Sequence, residues 1–449
     1  MGVIQKKFKI GLATFAQPTF DVSWAESVRT RTLDTLEQLG VEVVAFPRPL
    51  MYEQEALEFR DALRQADVSA VFLQCAGFSF GGLPVIISTG VDVPCIIWAT
   101  PEPEWTGDVI RSNSLCAGIM HNSHLKRAGV DAKFIFGNPE EMVDELKALI
   151  KALRAITYLK NSKLGIVGYR APGFYVSGHN EMKLHAELGV QTFHVDLSSV
   201  TGEVGRIADG AAEEVIQRYG FTLAENVVEN RAALLKTVKV YLALRKIAEE
   251  KSLDILAVKC WPEFPFEQGV SVCLALSLLN DNGIITACEG DAYGAVTMLI
   301  QDLLGEGPEF FNDIIQIDED NNHMLFWHCG SAAACLKAPE ADILVRPHGM
   351  QKKVGAVNFP LKPGRVTVSR LTEQGGSWRM FVATGEAVDT PMLLQGNPSL
   401  VKMDAPVKRI LDTILEEGFE HHHSTIYGDI SRELQWFCEL MSMEMVKPE

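Results

Sequence analysis

The chain has 449 residues and a mass of 49.5 kDa, which at roughly 150 residues per domain suggests about three domains. A hydrophobic share of 47%, a charged share of 22% and a mean hydropathy of +0.07 exclude a disordered or collagen-like chain. The net charge of −17 repels phosphate backbones and anionic headgroups, so neither nucleic acid nor a membrane is expected as a partner, and an anionic ligand needs a local cation.

The opening MGVIQKKFKIGLATF lacks a long apolar run with a small-residue cleavage site and reads as a lead-in to a first strand. No run of about 18 apolar residues occurs that could span a bilayer. The 9 cysteines include no CxxC pair and sit mostly in apolar runs, as thiols of a reducing compartment do, so a cytoplasmic protein is expected.

In chain order, KIGLATF reads as a strand, and WAESVRTRTLDTLEQLG as a helix stopped by Gly40. VEVVAFP, SAVFLQC, VPCIIWAT and DAKFIFG are further strands, with the helix EALEFRDALRQA among them. Strands alternating with helices predict a parallel sheet. The pattern restarts at KLGIVGYRAPGF, followed by the helix NEMKLHAELG and the strand VQTFHVD. The helix 231–252, the strand LDILAVKCW, the helix QGVSVCLALSLLND and the strand GIITACEGD continue it. After the helix AYGAVTMLIQDLLG, the segments HMLFWHCGSAA, KVGAVNFPLK, GRVTVSRLTE and SWRMFVATGEAV are strands between Gly and Pro turns, which predicts a small antiparallel barrel. The helix PVKRILDTILEEG, the segment FEHHHSTIYGD and the helix ISRELQWFCELM finish the chain. The expected architecture is α/β: two Rossmann-like doubly wound domains over 1–158 and 159–290, then a barrel-containing domain over 291–449.

Ligands of open parallel sheets sit beyond the carboxyl ends of the strands. Glu263 and Glu267 follow LDILAVKCW, while Glu289 and Asp291 follow GIITACEGD, so two adjacent connections can aim carboxylates into one cleft. The competing role for such acids is helix capping. His421, His422 and His423 form a triplet whose neutral imidazoles, beside carboxylates, suit Mn²⁺, Fe²⁺ or Zn²⁺; a solvated surface role is the alternative. His328 could add a ligand or be a core histidine. Arg170 and Lys259 lie past strand ends, where either could hold an anionic substrate group or remain a surface cation. The loop 99–117 carries Trp105, Arg111 and Asn113, a polar, aromatic set suited to a carbohydrate. No phosphate loop, GxGxxG fingerprint or G-x-S-x-G elbow occurs.

Together these residues resemble the L-fucose isomerase and L-arabinose isomerase superfamily of aldose–ketose isomerases. The likeness is carried by TACEGDAYGAVTML, by Glu267 lying 24 residues before Asp291, by WHCGSAA and by EHHHSTIYGDISRELQWFCEL. The resemblance implies Glu267, Asp291 and His422 as metal ligands, with His328 near a histidine that the arabinose branch uses and the fucose branch lacks. It also implies Mn²⁺, or Mg²⁺ or Co²⁺, as cofactor, and a homo-oligomer, hexameric in related families. His421, Arg170, Lys259, Trp105, Arg111 and Asn113 are the expected substrate contacts.

The chemistry follows independently. Moving a proton between C1 and C2 of a sugar requires a stabilised cis-enediolate. A divalent ion on the sugar oxygens, with Glu267 and Asp291 as acid and base, would provide that. The expected substrate is a hexose or pentose, an anionic one such as sulfoquinovose among the candidates. A non-catalytic sugar receptor and a metal-dependent aldolase or hydrolase remain alternatives.

Overall fold

The computed structural model describes residues 8–104 and 109–448. The chain divides into two compact units, 1–158 and 159–449.

In the first unit, β1 (Lys9–Phe15), β2 (Glu42–Ala45), β3 (Ala70–Cys75), β4 (Cys95–Ala99) and β5 (Lys133–Phe136) form a parallel sheet in the order β2-β1-β3-β4-β5. That is one of the two common doubly wound orders, whose strand order reverses beside β1. β3 and β4 are buried along their whole length, as expected for strands covered by helices on both faces. The helix Val22–Gln38 starts where Asp21 Oδ1 accepts the Trp24 N–H at 2.8 Å, and Gly40 leaves it at φ +68°. The buried Gln74 is satisfied on both sides, accepting from Thr14 Oγ1 at 2.8 Å and donating to Thr32 Oγ1.

In the second unit, β6 (Lys163–Val167), β7 (Gln191–Val195), β8 (Thr222–Leu223), β9 (Ile255–Val258) and β10 (Ile285–Cys288) come first. All but β8 build a parallel sheet in the order β10-β9-β6-β7. The remaining strands are β11 (Phe310–Asp318), β12 (His323–His328), β13 (Leu344–Pro347), β14 (Val354–Asn358), β15 (Gly364–Gln374), β16 (Ser377–Ala387), β17 (Asn397–Met403), β18 (His422–Tyr427) and β19 (Glu444–Val446).

Seven of these form one sheet, ordered β15-β18-β11-β12-β17-β16-β19, in which β15 also pairs with β16. Where a small antiparallel barrel is expected, β11, β12, β15, β16, β17 and β18 do pair antiparallel, but the sheet is mixed because the last strand, β19, joins β16 in parallel. A further three-stranded sheet orders β14-β13-β8, with β8 parallel to β13. The apolar helix Ala292–Leu304 packs against β9 and β10 on one side and β15 and β18 on the other, which is why it is buried almost throughout. No described helix is long and apolar enough to cross a membrane.

Between that helix and β11, Glu309 is buried and its Oε1 has no hydrogen-bond partner. Burial, and then the nearby Asp302 carboxylate, push its pKa well above the ordinary 4.5. A carboxyl whose folded pKa is raised binds its proton more tightly in the native state, so its contribution to stability is lost as pH rises through that value. Glu309→Gln, which stays neutral, should therefore gain on the wild type with increasing pH. The melting temperatures should diverge in the variant's favour between about pH 5 and about pH 9, by roughly 2 °C or more. Parallel curves would show that Glu309 is not held protonated.

Candidate active site

The register of the mixed sheet assembles most of the site. β11 lies between β12 and β18, and its Asp313 stands opposite both His422 of β18 and Trp327 of β12. His328 ends β12 one residue past that partner. A fourth group arrives from the parallel sheet, where β10 turns into the helix Ala292–Leu304 through Glu289, Gly290 and Asp291. Glu289 adopts φ +62°, a conformation costly for a residue with a β-carbon and one that recurs at functional sites. At Gly290 (φ +71°) a β-carbon would stand 2.1 Å from the Tyr169 carbonyl oxygen, so only glycine fits.

Glu289, His328 and His422 each present one ligand atom, and the three lie within 4.8 Å of one another. Asp313, His421 and His422 form a second, overlapping triplet of the same kind. Glu289 Oε2, His328 Nε2 and His422 Nε2 are buried and make no aligned hydrogen bond, although Glu289 Oε2 stands 3.3 Å from His422 Nε2. Buried polar atoms are normally paired, and three unpaired acceptors converging on one point fit a divalent cation. Asp313 Oδ1 lies 3.8 Å from the same His422 nitrogen.

The surroundings fix the imidazoles for that use. His422 Nδ1 donates to Asp291 Oδ2 at 2.9 Å, leaving the Nε2 lone pair free. His328 Nδ1 is 3.0 Å from Ser331 Oγ, which orients that ring in the same way. Asp291 itself is fully buried: it caps the helix through the Gly294 N–H at 2.8 Å and receives Arg370 Nη1 at 2.7 Å. Arg370, equally buried, also donates from Nε to Glu420 at 3.1 Å.

Burial alone would raise the Asp291 carboxyl, but Arg370 and His422 hold it well below the usual carboxylate range. Burial would likewise lower His422, yet its hydrogen bond to Asp291 and the Glu289 carboxylate 3.3 Å away push it up to about 9. Glu289, which burial would raise, is lowered by His422. A place that strengthens proton binding at an imidazole is one that attracts positive charge.

Of the residues expected from sequence, Asp291, His328, His421 and His422 are brought together. Glu267 is not: it is exposed on the turn Phe264–Gln268 and lines a depression with Leu197, Ser198, Thr201 and Glu263. Asp291 faces Arg370 and His422 Nδ1 and does not belong to either ligand triplet. Lys259 is occupied by Glu263 at 2.6 Å. Arg170 keeps a buried Nη1 without a hydrogen-bond partner.

In the first unit, Arg111 is tied to Asp21 at 2.6 Å and stands over the Trp24 ring. The Asn113 N–H donates to Glu102 Oε2 at 2.9 Å, and Glu102 also accepts from the Arg111 and Ser112 amides, so one carboxylate organises this part of the loop. Trp105 lies outside the described residues.

Asp313 and Arg370 are not among the residues expected from sequence, and Glu289, which sequence offers beside Asp291, is the one of the two that faces His328 and His422. The signal for Glu289 was its position directly after a buried strand. Asp313, inside the β11 segment FFNDIIQID, gave none.

Comparison with known proteins agrees with this architecture. The family model "L-fucose isomerase, C-terminal domain" matches residues 326–447, which include His328 at the end of β12 and all of β18 with His422 and His423. The sulfoquinovose isomerase of Alkalicoccus urumqiensis is 30% identical over 443 residues, covering 97% of this chain and 98% of that protein. Those of Priestia megaterium (strain ATCC 12872 / QMB1551) and Clostridium sp. (strain MSTE9) are 29% identical over 434 residues and 28% over 451 residues. The first covers 95% of this chain and 96% of its own length, the second 98% of both. With near-complete coverage in both directions, the enzyme class is an aldose–ketose isomerase. The chain belongs to the L-fucose isomerase-like family.

Proposed function

We propose that this enzyme converts the sulfonated hexose sulfoquinovose into its ketose, with a divalent cation held by Glu289, Asp313, His328 and His422. The observation that carries the cation is the convergence of three buried, unpaired acceptor atoms on one point. When bound, such an ion supplies Lewis acidity and a template for the sugar's carbonyl and hydroxyl oxygens. The Glu289 and Asp313 carboxylates, each with a second oxygen, are the groups available to take the proton from one carbon and return it to its neighbour. Asp291 keeps His422 in the tautomer with Nε2 unprotonated, and Arg370 keeps Asp291 ionised. Mn²⁺ is the expected ion, with Mg²⁺ and Co²⁺ as substitutes.

The substrate assignment joins the relatives' activity to Arg170. A sulfonate needs a local cation on a chain of net charge −17, and Arg170 retains an unused donor where Lys259 is already neutralised.

The test is turnover of sulfoquinovose in D₂O, followed by NMR, before and after chelation. Chelation should abolish turnover and Mn²⁺ should restore it, with deuterium entering the product and no carbon–carbon cleavage. Arg170→Ala should raise KM for sulfoquinovose at least about tenfold, the worth of a charge-assisted hydrogen bond. Full activity after exhaustive chelation would refute the metal reading; an unchanged KM in Arg170→Ala would refute the anion reading. Cleavage products would point to an aldolase.

A further inference from the structure

The loop 168–178 after β6 holds Arg170 between two aromatic rings that the core does not require. The Arg170 Cζ lies 4.7 Å from the Tyr175 ring centroid and 5.3 Å from that of Tyr169. Tyr175 is 78% exposed and Tyr169 51%, so neither ring is placed to fill an interior. Tyr169 also adopts φ +68°, a strained state for a bulky aromatic residue. That strain coincides with a close approach, since a β-carbon on Gly290 would stand 2.1 Å from Tyr169 O and 2.9 Å from Arg170 Cα. The backbone carrying the cation is thus seated on the turn that bears Glu289. Farther along the loop, Phe174 packs its ring 6.0 Å from that of His421, beside the same cluster.

We infer that Tyr169 and Tyr175 are positioning residues that preset Arg170 for the sulfonate and so govern discrimination between sulfonated and neutral sugars. The inference rests on the reading of Arg170 given under Proposed function. A ring face attracts a guanidinium without consuming its N–H donors, whereas a carboxylate partner, such as Glu263 on Lys259, occupies the donor and cancels the charge. Arginine has many rotamers, and restricting them before the ligand arrives removes an entropy loss from the binding step. The unpartnered Nη1 is then a donor kept free for an oxyanion.

The experiment uses the full chain with Mn²⁺, measuring kcat and KM for sulfoquinovose and for D-glucose as the neutral hexose. If glucose is not turned over, its inhibition constant against sulfoquinovose takes the place of its KM. Tyr175→Ala and Tyr169→Leu should each raise KM for sulfoquinovose about fivefold to tenfold, with kcat held within about twofold and the glucose constant unchanged. Tyr175→Phe, which keeps the ring face, should behave as wild type. Equal losses on both sugars would overturn the inference in favour of a structural role. A Phe variant as impaired as the Ala variant would overturn it in favour of a direct contact from the hydroxyl. If Arg170→Ala impairs sulfoquinovose binding and neither tyrosine variant does, this inference fails while the substrate reading stands; if Arg170→Ala is silent, that reading fails first.

Discussion

Glu289→Gln is expected to reduce turnover about 100-fold to 10,000-fold, the range for removing a positioned acid or base, and to reduce bound Mn²⁺ in parallel. The substitution keeps the side chain's shape and removes the charge whose Oε2 faces the free nitrogens of His328 and His422. Folding should be little affected, because Glu289 is not part of the Asp291–Arg370 pair. Glu267→Gln is the informative control. Its side chain is exposed in a depression lined by Leu197, Ser198 and Thr201, so activity and metal content should stay within about twofold of wild type. Metal analysis by mass spectrometry and steady-state kinetics on the two variants separate the assignments. Loss in Glu267→Gln with retention in Glu289→Gln would return the site to the pair spaced 24 residues apart in the chain.

Asp291→Asn is the second large effect, and it concerns stability first. Asp291 and Arg370 are fully buried with 2.7 Å between Oδ2 and Nη1. Breaking a buried ion pair from one side costs about 3–5 kcal/mol when the other charge is left uncompensated; Arg370 keeps Glu420 at 3.1 Å, so the loss should lie toward the lower end. Asparagine still accepts the Gly294 N–H, so the loss should come mainly from the guanidinium, left with Glu420 as its counter-charge, and not from the helix cap. Replacing both partners with apolar residues of similar volume should be less harmful than either single change, a coupling measurable in a double-mutant cycle by urea denaturation. Asp291→Asn should also weaken metal binding by about 10-fold to 100-fold, since His422 loses the acceptor that fixes its tautomer. Stability within about 1 kcal/mol of wild type would show that the pair contributes little.

The elements that sequence made legible are those with strong local signals. β1, β3 and β4 were evident as short apolar runs, and the helix 231–252 as an amphipathic stretch that the structure ends at Lys251. Segment 197–230 gives no clear signal in sequence, although it holds the helices Leu197–Val204 and Asp209–Tyr219; both are short, and the first contains Gly202. NEMKLHAELG suggests a helix, and residues 181–188 are helical without a break, capped by the Asn180 side chain and ended by Gly189 at φ +80°; what sequence does not show is that the run widens from α (Glu181–Lys183) to π (Leu184–Leu188). β19 carried too few residues to be noticed, and it makes the last sheet mixed.

For the site, sequence by itself determined the alternation of strands and helices, the acids after β10, the histidine triplet and the resemblance that joins them. Those are local properties: a buried strand must be apolar, and a connection at its carboxyl end can carry polar groups. Which acid faces the cluster was decided only in three dimensions. Glu289 and Asp291 are two residues apart, and the turn that gives Glu289 φ +62° while Asp291 caps the next helix sends their carboxylates to opposite tasks. Asp313 enters because antiparallel pairing sets β11 beside β18, residues more than a hundred positions apart, and Arg370 reaches Asp291 because the helix that Asp291 caps packs on β15. Local pattern records what a residue can be next to along the chain; register and close packing decide what it meets across the fold, and a charge such as Asp291 takes its role from the partner it meets there.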